Sequence, residues 1–255
     1  MFDFYRFEHF KMDKKLIHLV STKSNDLPYS FSLALHTGED KKSIIQNRHR
    51  LEAQLGTTES LHFIVANQIH SDHIHIIQDK KTKGWHSSQD AIQKCDALIT
   101  NIPNVILTIL TADCVPILLY DTKKDVVAAI HAGWKGTKAE ITYKTIQKMQ
   151  KVFNSNPVDI MAGIAPAIGS CCYEVGGEVA QHFFHIPNSL TQIKDKYMLD
   201  LPYINKMQLL KSGLVEKHIE ISNICTSCKV EHFFSYRKEK GCSGRFMSMI
   251  GLRDA

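Results

Sequence analysis

The stretch Leu107–Lys135, LTILTADCVPILLYDTKKDVVAAIHAGWK, constrains this chain more than any other. Leu107–Leu110 is an apolar run that leads straight into Thr111-Ala112-Asp113-Cys114, and Val126–Ile130 is a second such run that ends on His131. Tyr120–Asp125 between them is polar and charged, the composition of a turn between strands. Pairing of these strands would bring Cys114 and His131 within reach of one ion. A third candidate ligand lies upstream, His70 in NQIHSD.

Three protein ligands is an informative number. Structural zinc sites are usually closed by four ligands, whereas catalytic ones keep a position for water or substrate. A thiolate with two imidazoles suits zinc and also copper, so ligand softness leaves both metals open. The competing reading makes Cys114 a buried core thiol, as free cysteines often are, and the histidines ordinary polar residues.

With 255 residues, 44% of them hydrophobic, the chain can bury a full core without disulfide or metal staples. The net charge of +5 is modest. Pairs such as Lys14-Lys15 and Lys80-Lys81 read as solvated surface, and no aromatic residues interleave with them, so no nucleic-acid partner is expected. Seven cysteines, at 95, 114, 171, 172, 225, 228 and 242, do not resemble a disulfide scaffold in a chain of this size. No run approaches the roughly 20 apolar residues of a membrane span, and MFDFYRFEHFKMDKK is charged throughout. The expectation is a reducing, cytoplasmic location and no membrane partner.

No repeat or flexible linker divides the chain, so a single domain over residues 1–255 is expected. Apolar patterning predicts strands at Leu16–Ser21, Ser30–Leu35, Phe63–Ala66, His75–Ile77, Ala97–Thr100, Leu107–Thr111, Pro116–Tyr120 and Val126–His131. Later strands are predicted at Asp159–Gly163 and His232–Tyr236. Helices are predicted at Lys42–Leu55, Lys138–Phe153, Gly177–Phe184 and Leu201–Ser212. Ile44, Ile45, Arg48, Leu51 and Leu55 have the spacing of one helix face. Thr137 is the expected N-cap of the second helix, with Glu140 its capping-box partner. Strands outnumber helices and often follow one another directly, which argues against regular βαβ succession and for an α+β fold.

Several further residues invite a chemical role. His131 leads into Ala132-Gly133-Trp134-Lys135-Gly136-Thr137, whose glycines would let backbone N–H groups approach an anion, with Lys135 adding a point charge. A plain strand-to-helix turn explains the same residues. Arg48 (beside Asn47), Arg237 and Arg245 are the stronger anion-binding candidates, because a guanidinium is a rigid fork suited to phosphate; surface ion pairs are the competing reading. Asp113 beside Cys114 would meet the same ligand only if its strand ends there, and Pro116 makes a break plausible. Asp113 would then orient His70 or His131, or accept a proton. His218-Ile219-Glu220 with Cys225-Thr-Ser-Cys228 suggests a zinc deaminase signature, but no proline precedes Cys225 and four residues are too few for the intervening elements. A lone CxxC remains open to a metal or redox role. Adjacent Cys171-Cys172 cannot easily serve one metal together and is expected to be packing.

QIHSD, CDALIT, LTADCVPILLYD, AAIHAGWKGT, IAPAIGSCCYEVG and FFSYRKEKGCSGR occur here in that order. Together they resemble the multicopper polyphenol oxidase (laccase-like, YfiH-type) family, now usually described as purine nucleoside phosphorylases, from about Ser32 to Arg245. The resemblance implies mixed sheets packed together with helices outside. It implies that His70, Cys114 and His131 bind the metal; Asp113, on the placement argued above, joins Cys114 and His131 as the expected reaction centre. Asn47, Arg48, Arg237 and Arg245 would lie near the active site. The implied activities are phosphorolysis of purine nucleosides and of methylthioadenosine, and adenosine deamination. Purine nucleosides and phosphate would be the partners of a monomer or small homo-oligomer, with zinc as cofactor and copper the alternative. Ser32 stands where the family often has asparagine, and Ala165-Pro166 where it has Gly-Pro. A copper-dependent oxidase of phenols and a non-enzymatic zinc-binding protein are the other two readings.

Overall fold

The computed structural model describes residues 4–55, 60–241 and 243–254, so Cys242 lies outside the described residues. The early strands are β1 (Phe4–Tyr5), β2 (Leu16–Ser21), β3 (His62–Val65), β4 (Ile74–Ile76) and β5 (Ala97–Thr100). The central three follow as β6 (Val105–Thr111), β7 (Val115–Asp121) and β8 (Val126–Ala132). The remainder are β9 (Ile160–Ile164), β10 (Glu174–Val175), β11 (Leu190–Ile193), β12 (Lys196–Leu199), β13 (Ile219–Ile221) and β14 (Phe246–Leu252). Helices are α1 (Glu8–Lys11), α2 (Lys41–Ala53), α3 (Trp134–Lys138), α4 (Ile141–Phe153), α5 (Gly177–Ala180) and α6 (Leu201–Lys211).

One sheet runs β1-β2-β14-β6-β3 and the other β13-β9-β7-β8-β5-β4, with a small antiparallel β10-β12-β11 sheet beside them. Both large sheets are mixed: β3–β6, β4–β5 and β9–β13 are parallel and the other pairs antiparallel. All residues of β6, β7, β8 and β14 are buried, because each large sheet is covered on both faces. Val105, Leu107 and Ile109 of β6 meet Leu118 and Tyr120 of β7 and Val127 and Ala129 of β8 in the core between the sheets. The alternate residues Val115, Ile117 and Leu119 face α4 and α6 through Ile141, Ile146, Met149, Ile204 and Leu209. On the far side, Ile106, Leu110, Met247 and Met249 face Leu51 at the end of α2 and Trp85. Two-sided burial is why these strands read as continuous apolar runs rather than alternating ones. The fold is α+β, as expected.

The chain crosses from one sheet to the other between β6 and β7, at residues 112–114. Asp113 makes the corner with φ 85, not Pro116, which lies inside β7 in register with His131. This corner sets the site.

Four local expectations are corrected. Ser30–Leu35 is not a strand: Tyr29, Ser30 and Phe31 take positive φ in a short 3-10 turn over Pro28–Phe31 that drops Phe31 into the core. His232–Tyr236 is a run of turns in which Lys229 O accepts from the N–H groups of His232 and Phe233, and Phe233 and Phe234 are buried as plugs. The Gly177–Phe184 helix stops at Ala180. Thr137 is buried inside α3 and caps nothing; Glu140 itself, in a left-handed conformation, breaks the predicted Lys138–Phe153 helix and begins α4.

Candidate active site

His70, Cys114 and His131 converge from three segments: the loop after β3, the corner between the sheets, and the C-terminal end of β8. Cys114 Sγ is 3.8 Å from His70 Nε2. Each of the three offers a ligand atom within 4.8 Å of the others, and the two imidazoles meet edge to face with centroids 4.7 Å apart. Gly133 makes this approach possible: a Cβ there would stand 2.9 Å from His70 Cδ2 and 3.0 Å from Cys114 Sγ. A soft thiolate, two imidazoles and a backbone stripped of its Cβ fit a transition metal.

The residue that organises the triad is Asp96, whose side chain is fully buried directly before β5. Its Oδ1 accepts from His131 Nδ1 at 2.8 Å and from His70 N at 2.9 Å. Its Oδ2 accepts from Ser71 N at 2.7 Å, Ser71 Oγ at 2.6 Å and Ile69 N at 3.3 Å. One carboxylate thus fixes the His131 ring and the backbone of the His70 loop, where His70 takes φ 61. With Nδ1 donating to Asp96, His131 presents Nε2 to the site, the arrangement that metal-binding histidines adopt. Burial would raise the Asp96 carboxyl, but His131 and Ser71 outweigh it and hold it at about 2. Burial likewise opposes charge on Cys114 and His131. Their mutual attraction, with His70 and Asp96 assisting, draws the thiol down to about 6 and the imidazole up to about 9. In these shifts the protein favours a thiolate, the form that binds metal.

The triad opens into a cavity of about 790 Å³, within the range of small-molecule sites. Trp134, Tyr173 and Tyr236 line it, with Asp113, Arg237 and Arg245. Asp113 does not orient a histidine, as the sequence suggested; Asp96 has that place. The Asp113 carboxylate instead accepts from Thr226 Oγ1 and from Arg237 N, both at 2.7 Å, tying two distant loops to the corner. Arg237 Nη1 donates to Glu174 O at 2.9 Å, and its guanidinium lies over Tyr173. Arg245 Nη1 donates to the carbonyls of Ser243 and Gly244.

The other anion candidates are placed differently. Arg48 is 1% exposed and directs four hydrogen bonds to the carbonyls of Leu33, Gly84 and Trp85, so it braces the cavity wall that it lines. Asn47 is buried, donates to Pro28 O and Ser32 O, and does not line the cavity. Lys135 is exposed beside Trp134 and also lies outside the lining. Ser32, fully buried, accepts from Arg245 N at 3.2 Å and donates to Glu39. Sequence reasoning missed Asp96, whose signal was an acidic residue directly before the wholly apolar strand ALIT. It also missed His36, Tyr173 and Tyr236, which carry no local signal of lining a cavity.

Comparison with known proteins shows the family. Residues 18–253 match the family described as "Multi-copper polyphenol oxidoreductase laccase". "Purine nucleoside phosphorylase YlmD" of Bacillus subtilis is 32% identical over 253 residues, 95% of this chain and 91% of that one. "Purine nucleoside phosphorylase YfiH" of Escherichia coli is 33% identical over 230 residues, covering 88% of each. The crystal structure of YlmD from Geobacillus stearothermophilus superposes with a TM-score of 0.90 at 30% identity, over 97% of this chain and 94% of that one. A chain matched over nearly its whole length, in sequence and in fold, belongs to the family of multi-copper polyphenol oxidoreductase laccases whose members include YlmD and YfiH.

Proposed function

We propose that the chain is a purine nucleoside phosphorylase that also deaminates adenosine and phosphorolyses methylthioadenosine, with zinc held by His70, Cys114 and His131. The observation that carries this reading is a metal-capable triad opening into an aromatic and arginine-lined cavity in a chain whose relatives bear the phosphorylase name. The metal, when bound, supplies Lewis acidity.

The protein's own groups divide the remaining work. A purine is flat and apolar on its faces, which suits Trp134, Tyr173 and Tyr236. Arg237 and Arg245 offer guanidinium donors to phosphate. Phosphorolysis forms a bond from a phosphate oxygen to C1′ as the bond from C1′ to the purine breaks, and the electron pair leaves with the base. Holding phosphate beneath C1′ makes that displacement effectively unimolecular. In deamination a water oxygen bonds to C6 as the bond from C6 to the amino group breaks, and the amino group leaves as ammonia carrying a proton that the water gives up. In this reading Asp113, a carboxyl group among the described lining residues, is the group that relays that proton from the water to the leaving amine. The same reading puts the chain in the cytoplasm, where its thiols stay reduced.

The family's description favours a second reading, a copper oxidase. Reduction of oxygen by several coppers calls for many histidine ligands. Among the described residues the ligand clusters are this triad and a group of four cysteines. Chromatography of adenosine incubated with metal-analysed protein, with and without phosphate and against Cys114→Ala, tests the proposal. Adenine and ribose 1-phosphate forming only with phosphate support phosphorolysis, and inosine supports deamination. Absence of all three from metal-replete protein, or retained turnover in a metal-free Cys114→Ala or His70→Ala variant, would overturn it.

A further inference from the structure

The cysteines outside the triad gather in space. Cys171 and Cys172 lie in the turn after Gly169, and Cys225 and Cys228 bracket a turn more than fifty residues later. The four Sγ atoms all lie within 4.8 Å of one another. Cys228 Sγ is 3.6 Å from Cys171 Sγ and 3.4 Å from Cys172 Sγ. Thiolates at the corners of a zinc tetrahedron, with Zn–S about 2.3 Å, stand about 3.8 Å apart. Disulfide sulfurs would be bonded at about 2.05 Å.

Local backbone explains how adjacent cysteines face one point. The N–H groups of Cys172 and Tyr173 both donate to Gly169 O at 3.0 Å, winding the turn tightly so that both thiols reach Cys228. Gly169 N donates to Cys225 Sγ at 3.3 Å, a bond that strengthens when the sulfur is anionic. The expectation that Cys171-Cys172 is mere packing fails on exposure: Cys171 and Cys228 are solvent-exposed, and Cys172 and Cys225 only partly buried. Exposed thiols gain nothing from packing, and four of them meeting at one surface point need another reason.

We propose that Cys171, Cys172, Cys225 and Cys228 form a second metal site, a closed tetrathiolate that holds zinc in a structural role. Four protein ligands leave no position for water or substrate. Each thiol would release its proton to solvent on binding, so affinity falls in acid. The site joins two loops already zipped by the Ala167–Cys225 bridge. One carries Tyr173 of the cavity; the other sends Thr226 to Asp113, the residue that also holds Arg237 N. The metal would therefore fasten one wall of the cavity to the corner bearing Cys114. This assignment does not depend on the reaction the cavity performs.

The test is metal analysis of reduced, full-length protein together with cobalt(II) titration. Wild type should bind two metals per chain. His70→Ala should keep one, with the visible bands and sulfur-to-cobalt charge transfer of a tetrahedral thiolate centre. Cys171→Ser and Cys228→Ser should each keep one, with the charge transfer reduced to what Cys114 alone supplies. If the cysteine variants do not fold, His70→Ala decides, because it leaves the four cysteines untouched. No tetrathiolate spectrum in that protein, or four thiols still freely reactive at saturating zinc, would overturn the site. So would a Cys172–Cys228 disulfide in protein kept under reducing conditions.

Discussion

Asp96→Asn tests how far one buried carboxylate organises the triad. The amide keeps the shape but turns one acceptor into a donor. If it replaces Oδ1, the bonds from His131 Nδ1 and His70 N are lost; if Oδ2, those from Ser71 N and Ile69 N are lost. Each hydrogen bond to a charged group contributes about 1.5–3 kcal/mol, so two give about 3–6 kcal/mol as an upper bound. An independent figure comes from the Asp96 carboxyl, held at about 2 against its usual 3.8. At about 1.4 kcal/mol per pKa unit, that depression corresponds to about 2–3 kcal/mol. The depressed value means this stabilisation is complete above about pH 4 and lost as pH falls towards 2. A loss of about 3 kcal/mol lowers the melting temperature of a chain this size by about 6–12 °C. The His131 ring also loses its fixed tautomer, which costs about 10–100-fold in metal affinity. Thermal melting of metal-free protein and chelator competition measure the two effects separately. An Asn variant that melts with wild type and holds metal within threefold of it would refute the role given to Asp96.

Gly133→Ala should leave the far-UV circular dichroism unchanged while releasing metal, because its Cβ collides with His70 and Cys114; full metal retention would show that the triad can shift. Arg48→Met should cost about 3 kcal/mol or more of stability and lower the melting temperature accordingly, since three buried carbonyls lose their donor. It should raise the KM for phosphate less than Arg237→Ala does; the reverse order would make Arg48 the phosphate ligand. Burial, with Arg6 adding repulsion, lowers His18 to about 4 from 6.5. The unfolded chain therefore binds the extra proton first, and stability present above pH 6.5 falls as pH drops towards 4. Between pH 7.5 and 5 this amounts to about 2 kcal/mol, and denaturant unfolding of His18→Leu should show a correspondingly flatter pH dependence.

Much of the frame was legible from local pattern. Leu16–Ser21 and Ala97–Thr100 form strands with the bounds their apolar runs suggest, and the link after Tyr120 is the hairpin between β7 and β8. Hydrophobic runs work here because both faces of the central strands are covered. They fail at Ser30–Leu35 and His232–Tyr236, where buried phenylalanines are delivered by turns instead. Composition cannot distinguish a residue buried from a strand from one buried from a bend.

By itself the sequence determined the α+β class and, through its motif order, the three residues that meet as a triad. Only the tertiary structure decided that Asp96 rather than Asp113 holds His131, that Arg48 braces a wall through main-chain carbonyls, and that four cysteines share one point. The reason is physical. Strand and helix patterns are written in neighbouring residues, whereas a hydrogen-bond partner is set by which segments the sheets bring together. Asp96 finds His131 because β5 pairs with β8, and Cys172 finds Cys228 because the two loops are zipped at Ala167 and Cys225. Such meetings depend on register and on the corner at Asp113, and no single stretch of chain contains them.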